Sequence, residues 1–173
     1  MKPLRIKRVG LLLVAILVVF IALIPIRQAL ACRSQLRVLV SNLHMYRLQC
    51  GGHYPPDILV TANAFYMDAS RKQIPFSGNK LAWMNLSCPG VGREYSTAPT
   101  AKQSDYVYVN WEPFFGTNDA PAQYPLFYDR SLSNHLRIGV NVITTTSFFW
   151  DFRGHWLRDF AEKHPEYHLP MPE

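Results

Sequence analysis

Asp129, His135 and Asp151 are the residues of this chain best suited to acid–base chemistry, because a histidine set between carboxylates can take a proton while one of them orients its ring. No nucleophile is marked to use such a base. There is no Gly-x-Ser-x-Gly turn, and the same three residues serve equally well to cap turns. The six histidines, His44, His53, His135, His155, His164 and His168, show no His-Glu-x-x-His spacing, and no Cys-x-x-Cys stands beside them, so a zinc site has no local signature. Phosphate-binding glycine loops and the dinucleotide fingerprint are absent too. On residue types the chain is not expected to be an enzyme, and no cofactor is expected.

Three cysteines, Cys32, Cys50 and Cys88, allow one disulfide and one spare thiol in an exported domain. The expected pair is Cys50 with Cys88, which would tie the end of a long helix to a long loop; three reduced, buried thiols are the alternative. Asn85-Leu86-Ser87 fits a glycosylation sequon. Aromatic residues make up 13% of the chain. If Trp111, Phe114 and Phe115 shared one solvent-facing patch they would suit a glycan or a peptide, whereas in a small sheet domain such rings are core.

The elements that must position these groups follow from length and charge. At 173 residues, 49% apolar and 17% charged, the chain has the composition of one folded domain. Its net charge of +6 is local. Lys2, Arg5, Lys7, Arg8, Arg27 and Arg33 precede residue 34, where no acid occurs, and the 12 basic residues that remain equal the 12 acidic ones. A groove that neutralises phosphates along a duplex needs that charge in the folded part, so no nucleic-acid partner is expected.

The run Val9-Gly10-Leu11-Leu12-Leu13-Val14-Ala15-Ile16-Leu17-Val18-Val19-Phe20-Ile21-Ala22-Leu23-Ile24-Pro25-Ile26 carries no charge. As a helix it spans about 27 Å, near the roughly 30 Å of a bilayer core. The four basic residues before it make residues 1–8 a cytoplasmic leader by the positive-inside bias, with 9–26 a transmembrane helix and 27–173 extracytoplasmic. A cleaved secretory signal is the alternative, since Ala29-Leu30-Ala31 has the small-x-small form, but the apolar run exceeds the about 7 to 15 residues of a signal core. Cys32 also invites a lipoprotein reading, against which Ala29 stands where a lipobox has Leu.

Residues 28–49 contain neither Gly nor Pro, and Leu36, Leu39, Val40, Leu43 and Tyr46 recur at the spacing of one helical face. A single helix of about 40 residues, near 60 Å long, is therefore expected, kinked rather than ended by Pro25 and closed by Cys50-Gly51-Gly52. Asp57 is expected to cap a helix over 58–68 with Leu59, Ala62, Phe65 and Tyr66 on one face. Residues 69–103 read as a long loop pinned around Trp83, Met84 and Cys88-Pro89. Three or four antiparallel strands are expected from the runs 105–111, 125–129, 138–143 and 147–152, then a helix over 155–163 with Trp156, Leu157 and Phe160 inward. The fold class is α+β, a long N-terminal helix packed on a small antiparallel sheet.

Three stretches carry a resemblance to type IV pilin-like and type II secretion pseudopilin-like proteins. Lys7-Arg8-Val9-Gly10 looks like the end of a prepilin leader, with Gly10 before the cleavage point and Leu11 after it. Ala15 stands where that family has Glu, the residue associated with subunit assembly. The stretch from Cys32-Arg33-Ser34-Gln35 through Ser41-Asn42-Leu43-His44-Met45-Tyr46 to Gly51-Gly52-His53-Tyr54-Pro55 is similar to the family pattern in which the long helix ends and an extended Tyr-Pro segment begins. His135 with Gly139-Val140-Asn141-Val142 resembles a His…Gly-Val-Asn-Val motif, with Thr146-Ser147 in place of its usual Asp-Gly.

The resemblance implies a membrane-anchored structural or scaffolding subunit of a bacterial envelope assembly. It would be single-pass in the inner membrane, with a periplasmic domain, and its partners would be the lipid bilayer and other pilin-like subunits or secretion-system components. It also implies cleavage after Gly10 and N-methylation of Leu11 if a prepilin peptidase acts. Calcium is the one ion it suggests, on Asn118-Asp119 with Asp129, whose oxygen ligands suit it. The alternative expectation is a membrane-tethered domain that binds a glycan or peptide without assembling.

Overall fold

The computed structural model describes residues 3–66, 72, 74–89, 91, 93–135 and 137–173; within its first helix, the side chains of 3–9, 11, 22 and 25 are left out of the description. That helix, α1 (Pro3–Gln49), runs 47 residues and about 70 Å without a break. Its second half carries the expected stripe: Leu36, Leu39 and Leu43 are buried, and Val40 and Tyr46 are partly so. It stops where Gly51 and Gly52 take positive φ of 63° and 91°, with Gly52 N–H donating back to the Arg47 carbonyl at 2.8 Å.

Asp57 accepts from Val60 N–H at 2.9 Å and starts α2 (Ile58–Asn63). This helix is shorter than expected, which leaves Phe65 exposed rather than inward; Asp68 lies outside the described residues. Within the expected loop sits a five-residue helix, α3 (Lys80–Met84), whose cap is the Asn79 side chain. Trp83 pins the segment by donating its indole N–H to Phe76 O at 2.7 Å, while Met84 is exposed.

Four strands follow: β1 (Tyr106–Tyr108), β2 (Pro125–Asp129), β3 (Gly139–Thr144) and β4 (Phe148–Phe152), paired antiparallel in sequence order. The one-turn helix α4 (Glu112–Phe115) lies between β1 and β2, and α5 (His155–Lys163) follows β4. The first strand is shorter than the expected 105–111 because Trp111 turns into the start of α4.

Register assigns the faces. Tyr106 opposes Asp129, Phe127 opposes Ile143 and Asn141 opposes Trp150, so these residues share one side of the pleat. That side meets α1: Asn141 Nδ2 donates to Ala29 O at 3.3 Å, and the Arg33 guanidinium lies 4.3 Å from the Phe148 ring centre. Val140, Val142, Phe149 and Asp151 face the other way, where Phe149 meets Trp156 of α5 at 4.9 Å between ring centres. Leu157 and Phe160 are buried on that side and Trp156 partly so. The sheet is thus sandwiched between the long helix and α5.

The disulfide joins Cys32 to Cys88, not Cys50 to Cys88, with 5.0 Å between Cα atoms. Helical phase is the reason. Cys32, Leu36, Leu39 and Leu43 recur at spacings of 4, 3 and 4, so Cys32 falls on the buried stripe. Cys50 lies past the end of the helix and is a free, partly exposed thiol. In the chain-entropy view, closing a 56-residue separation stabilises by about 4 kcal/mol.

Candidate functional site

The two halves of α1 have opposite surroundings. Every described large apolar side chain from Leu12 to Ile26 is exposed, on all sides of the helix, whereas the buried stripe begins at Cys32. A helix apolar all round needs an apolar solvent, and this one is long and apolar enough to cross a membrane. Gly10 lies on this bare half; among the described residues nothing beyond its own helix backbone and chain neighbours comes within 4 Å of where a side chain would begin, and the Gly10–Leu11 bond is inside the helix.

Where the bare half gives way to the packed half, a polar cluster is built under α1. Asp129, from the end of β2, accepts at Oδ2 from His135 Nε2 at 2.8 Å, from the Asn141 backbone N–H at 2.6 Å and from Asn141 Nδ2 at 3.0 Å. Asp129 and His135 are fully buried. Trp150 meets the imidazole edge to face, 5.2 Å between ring centres, and its indole lies against Gly139, so the resemblance motif works as a packing unit. Val140 and Val142 of that motif face the opposite core. Burial and the neighbouring Asp129 charge push the Tyr106 phenol well above its usual range, which keeps its hydroxyl protonated.

The sulfurs of Cys32 and Cys88 and a ring nitrogen of His135 lie within 4.8 Å of one another, and all three residues are buried. Beside them, an apolar cavity of about 280 Å³ opens between α1 and β4, lined by Ile26, Leu30, Arg33, Asn141, Phe148 and Trp150 among others. Sequence reasoning missed the Cys32–Cys88–His135 grouping because the three residues are far apart in the chain. The helical phase of Cys32 was the signal that pointed to it.

Other expected sites come apart. Asp151 lies on the opposite sheet face from Asp129 and accepts from Trp156 N–H and Leu157 N–H at 3.0 Å each, so it caps α5 and does not join His135. Asp119 pairs with Arg47, whereas Asp129 is bridged by Asn141 to Ala29. Residues 29 and 47 stand about 27 Å apart along α1, too far for Asp119 and Asp129 to share a calcium ion. Trp111 is fully buried with its indole N–H on Pro125 O at 2.8 Å, leaving Phe114 as the exposed ring of the expected aromatic patch. The sequon amide of Asn85 is buried, accepting from Gln35 at 2.6 Å and donating to Tyr66 at 3.0 Å and to Ala62 O at 3.3 Å.

The chain matches no protein-family model, no curated protein and no solved structure.

Proposed function

We propose that this protein is a single-pass, membrane-anchored structural subunit of a bacterial envelope assembly of the pilin-like or type II secretion kind. On this reading the N-terminus is cytoplasmic and the sheet domain periplasmic. The observation that carries it is the continuity of α1: one unbroken helix has a bare apolar half and a half built into a folded domain. Lateral packing of the apolar half against like helices would then be transmitted to the domain without a flexible joint. Ala15 in place of a glutamate favours a subunit that is held by apolar packing rather than by a charge paired inside the bilayer.

Photo-crosslinking from Ile16 and Phe20 in native inner membranes tests the reading. Adducts with other apolar-helix subunits, together with protease access to the domain from the periplasmic side only, are the expected result. Adducts with lipid alone, or a domain reached only from the cytoplasm, would overturn it. Intact mass of the same material separates the two forms of the proposal: a chain starting at Leu11 is a processed subunit, and one that retains residues 1–10 is a permanent anchor.

A further inference from the structure

Among the described residues, four buried side-chain polar atoms have no hydrogen-bond partner: Arg33 Nε, Tyr106 Oη, Asp129 Oδ1 and His135 Nδ1. Three of them belong to one cluster: Tyr106 opposes Asp129 across β1 and β2, and Asp129 holds His135, whereas Arg33 lies over Phe148 at the edge of the cavity. Buried polar atoms are normally satisfied, so a group of unpaired ones around one point calls for a ligand. The Asp129–His135 bond fixes which ligand chemistry is on offer. With Nε2–H donating to the carboxylate, Nδ1 of the neutral ring is left with a lone pair, and this is how metal-ligating histidines are commonly oriented by a second residue.

We propose that Cys32, Cys88 and His135 form a redox-gated site for a thiophilic divalent cation of the zinc class, with the disulfide as its closed state. A dithiol reductant opens it: its two thiols supply two electrons and two protons, the Cys32–Cys88 bond breaks to give two cysteine thiols, and the reductant becomes a cyclic disulfide. The cation then displaces the two thiol protons and takes two thiolate sulfurs and His135 Nδ1 as ligands, a set that suits zinc with a fourth position open. Zinc–sulfur bonds of about 2.3 Å at a tetrahedral angle put two sulfurs about 3.8 Å apart, so the bonded sulfurs must part on reduction, and a His135 ring nitrogen already stands within 4.8 Å of both. Metal would replace the disulfide as the link between α1 and the loop before β1, so the joint between anchor and domain survives in either redox state.

The test uses the detergent-purified full chain, reduced with a dithiol, freed of reductant under argon and titrated with Zn²⁺ by calorimetry. A maleimide count of protected thiols accompanies it. One equivalent of Zn²⁺ is expected to bind the reduced chain and to shield two thiols while Cys50 still reacts; the oxidised chain binds none at those residues. Cys50→Ser should bind as tightly as the parent chain, and Asp129→Asn about 10- to 100-fold more weakly. His135→Ala should lose the shielding. Should a variant or the reduced apo chain unfold, circular dichroism with and without Zn²⁺ decides, because a real site restores the fold on adding metal. Equal binding by oxidised and reduced chains, an affinity indifferent to His135→Ala in a folded variant, or a reduced chain that neither binds nor refolds with Zn²⁺ would overturn the proposal.

Discussion

Asn141 Nδ2 donates to the carbonyl of Ala29 at 3.3 Å, across 112 residues, and to Asp129 Oδ2 at 3.0 Å. One amide group therefore ties the long helix to the carboxylate that organises the sheet face beneath it. Asn141→Ala removes both bonds while the residue's backbone N–H still reaches Asp129 at 2.6 Å. Leaving a buried charged acceptor short of a donor costs about 1 to 3 kcal/mol, or several degrees of melting temperature for a domain this size. Thermal unfolding of the detergent-purified chain, followed by circular dichroism, should show that drop; an unchanged midpoint would mean the bridge to α1 contributes nothing.

The disulfide sets up a comparison between two cysteines. Cys88→Ser should lower stability in urea by about 4 kcal/mol, the loop-closure contribution for its sequence separation. Cys50→Ser, at a partly exposed free thiol, should shift it by less than about 0.5 kcal/mol. Equal losses from the two substitutions would mean that the bridge is not the one seen here.

Gly139 shows why the glycine position of the resemblance motif is small. A Cβ there would lie 2.5 Å from Asp151 O and 2.7 Å from Trp150 Cε2, so backbone as well as side chain must move. Gly139→Ala is expected to cost about 1 to 3 kcal/mol and to loosen the β3–β4 pair, visible as faster amide exchange at Trp150 and Asp151. Gly10→Ala, whose Cβ meets nothing, is the matched control and should leave the domain's melting unchanged.

Periodicity made some of this legible in the sequence. β2 and α5 are expected at 125–129 and 155–163, where they lie, because a short apolar and aromatic run and an amphipathic nine-residue helix are local signals. The stripe Leu36, Leu39, Leu43 was readable for the same reason. What failed was anything that needs phase between elements. Pairing Cys50 with Cys88 ignored that Cys32 shares the stripe, and grouping Asp151 with His135 ignored that residues 129 and 151 fall on opposite faces once the register is set. The short helix α3 was hidden because five residues give too few turns for a period, although Asn79 three residues before Ala82 was a cap signal.

Glu112 gives the fold an acid limit. His53 Nδ1 at 2.7 Å and the Tyr54 N–H at 2.7 Å hold its carboxyl below the usual range, the histidine being the larger cause. A carboxyl lowered in the folded state contributes stability that is present above its unfolded pKa of about 4.3 and is lost as pH falls through the folded value. Melting temperature should therefore decline below about pH 4.5, and Glu112→Gln should flatten that decline while lowering stability near neutrality. A parallel decline in both chains would assign it to other carboxylates.

Membrane anchoring can be tested by charge, and magnitudes decide how many charges are needed. The fourteen Leu, Ile, Val and Phe residues between Val9 and Ile26 sum to about −4 to −8 kcal/mol of insertion free energy at about −0.3 to −0.6 each. One central Arg costs about 2.5 to 3.5 kcal/mol, so Leu17→Arg alone should stay in the membrane fraction after an alkaline wash. Adding Phe20→Arg brings the cost to about 5 to 7 kcal/mol, enough to cancel the gain, and the double variant should be largely released. Leu48→Arg, on the solvent side of the packed half and 80% exposed, should be retained like the parent chain. Full retention of the double variant would show that something other than this segment holds the protein to the membrane.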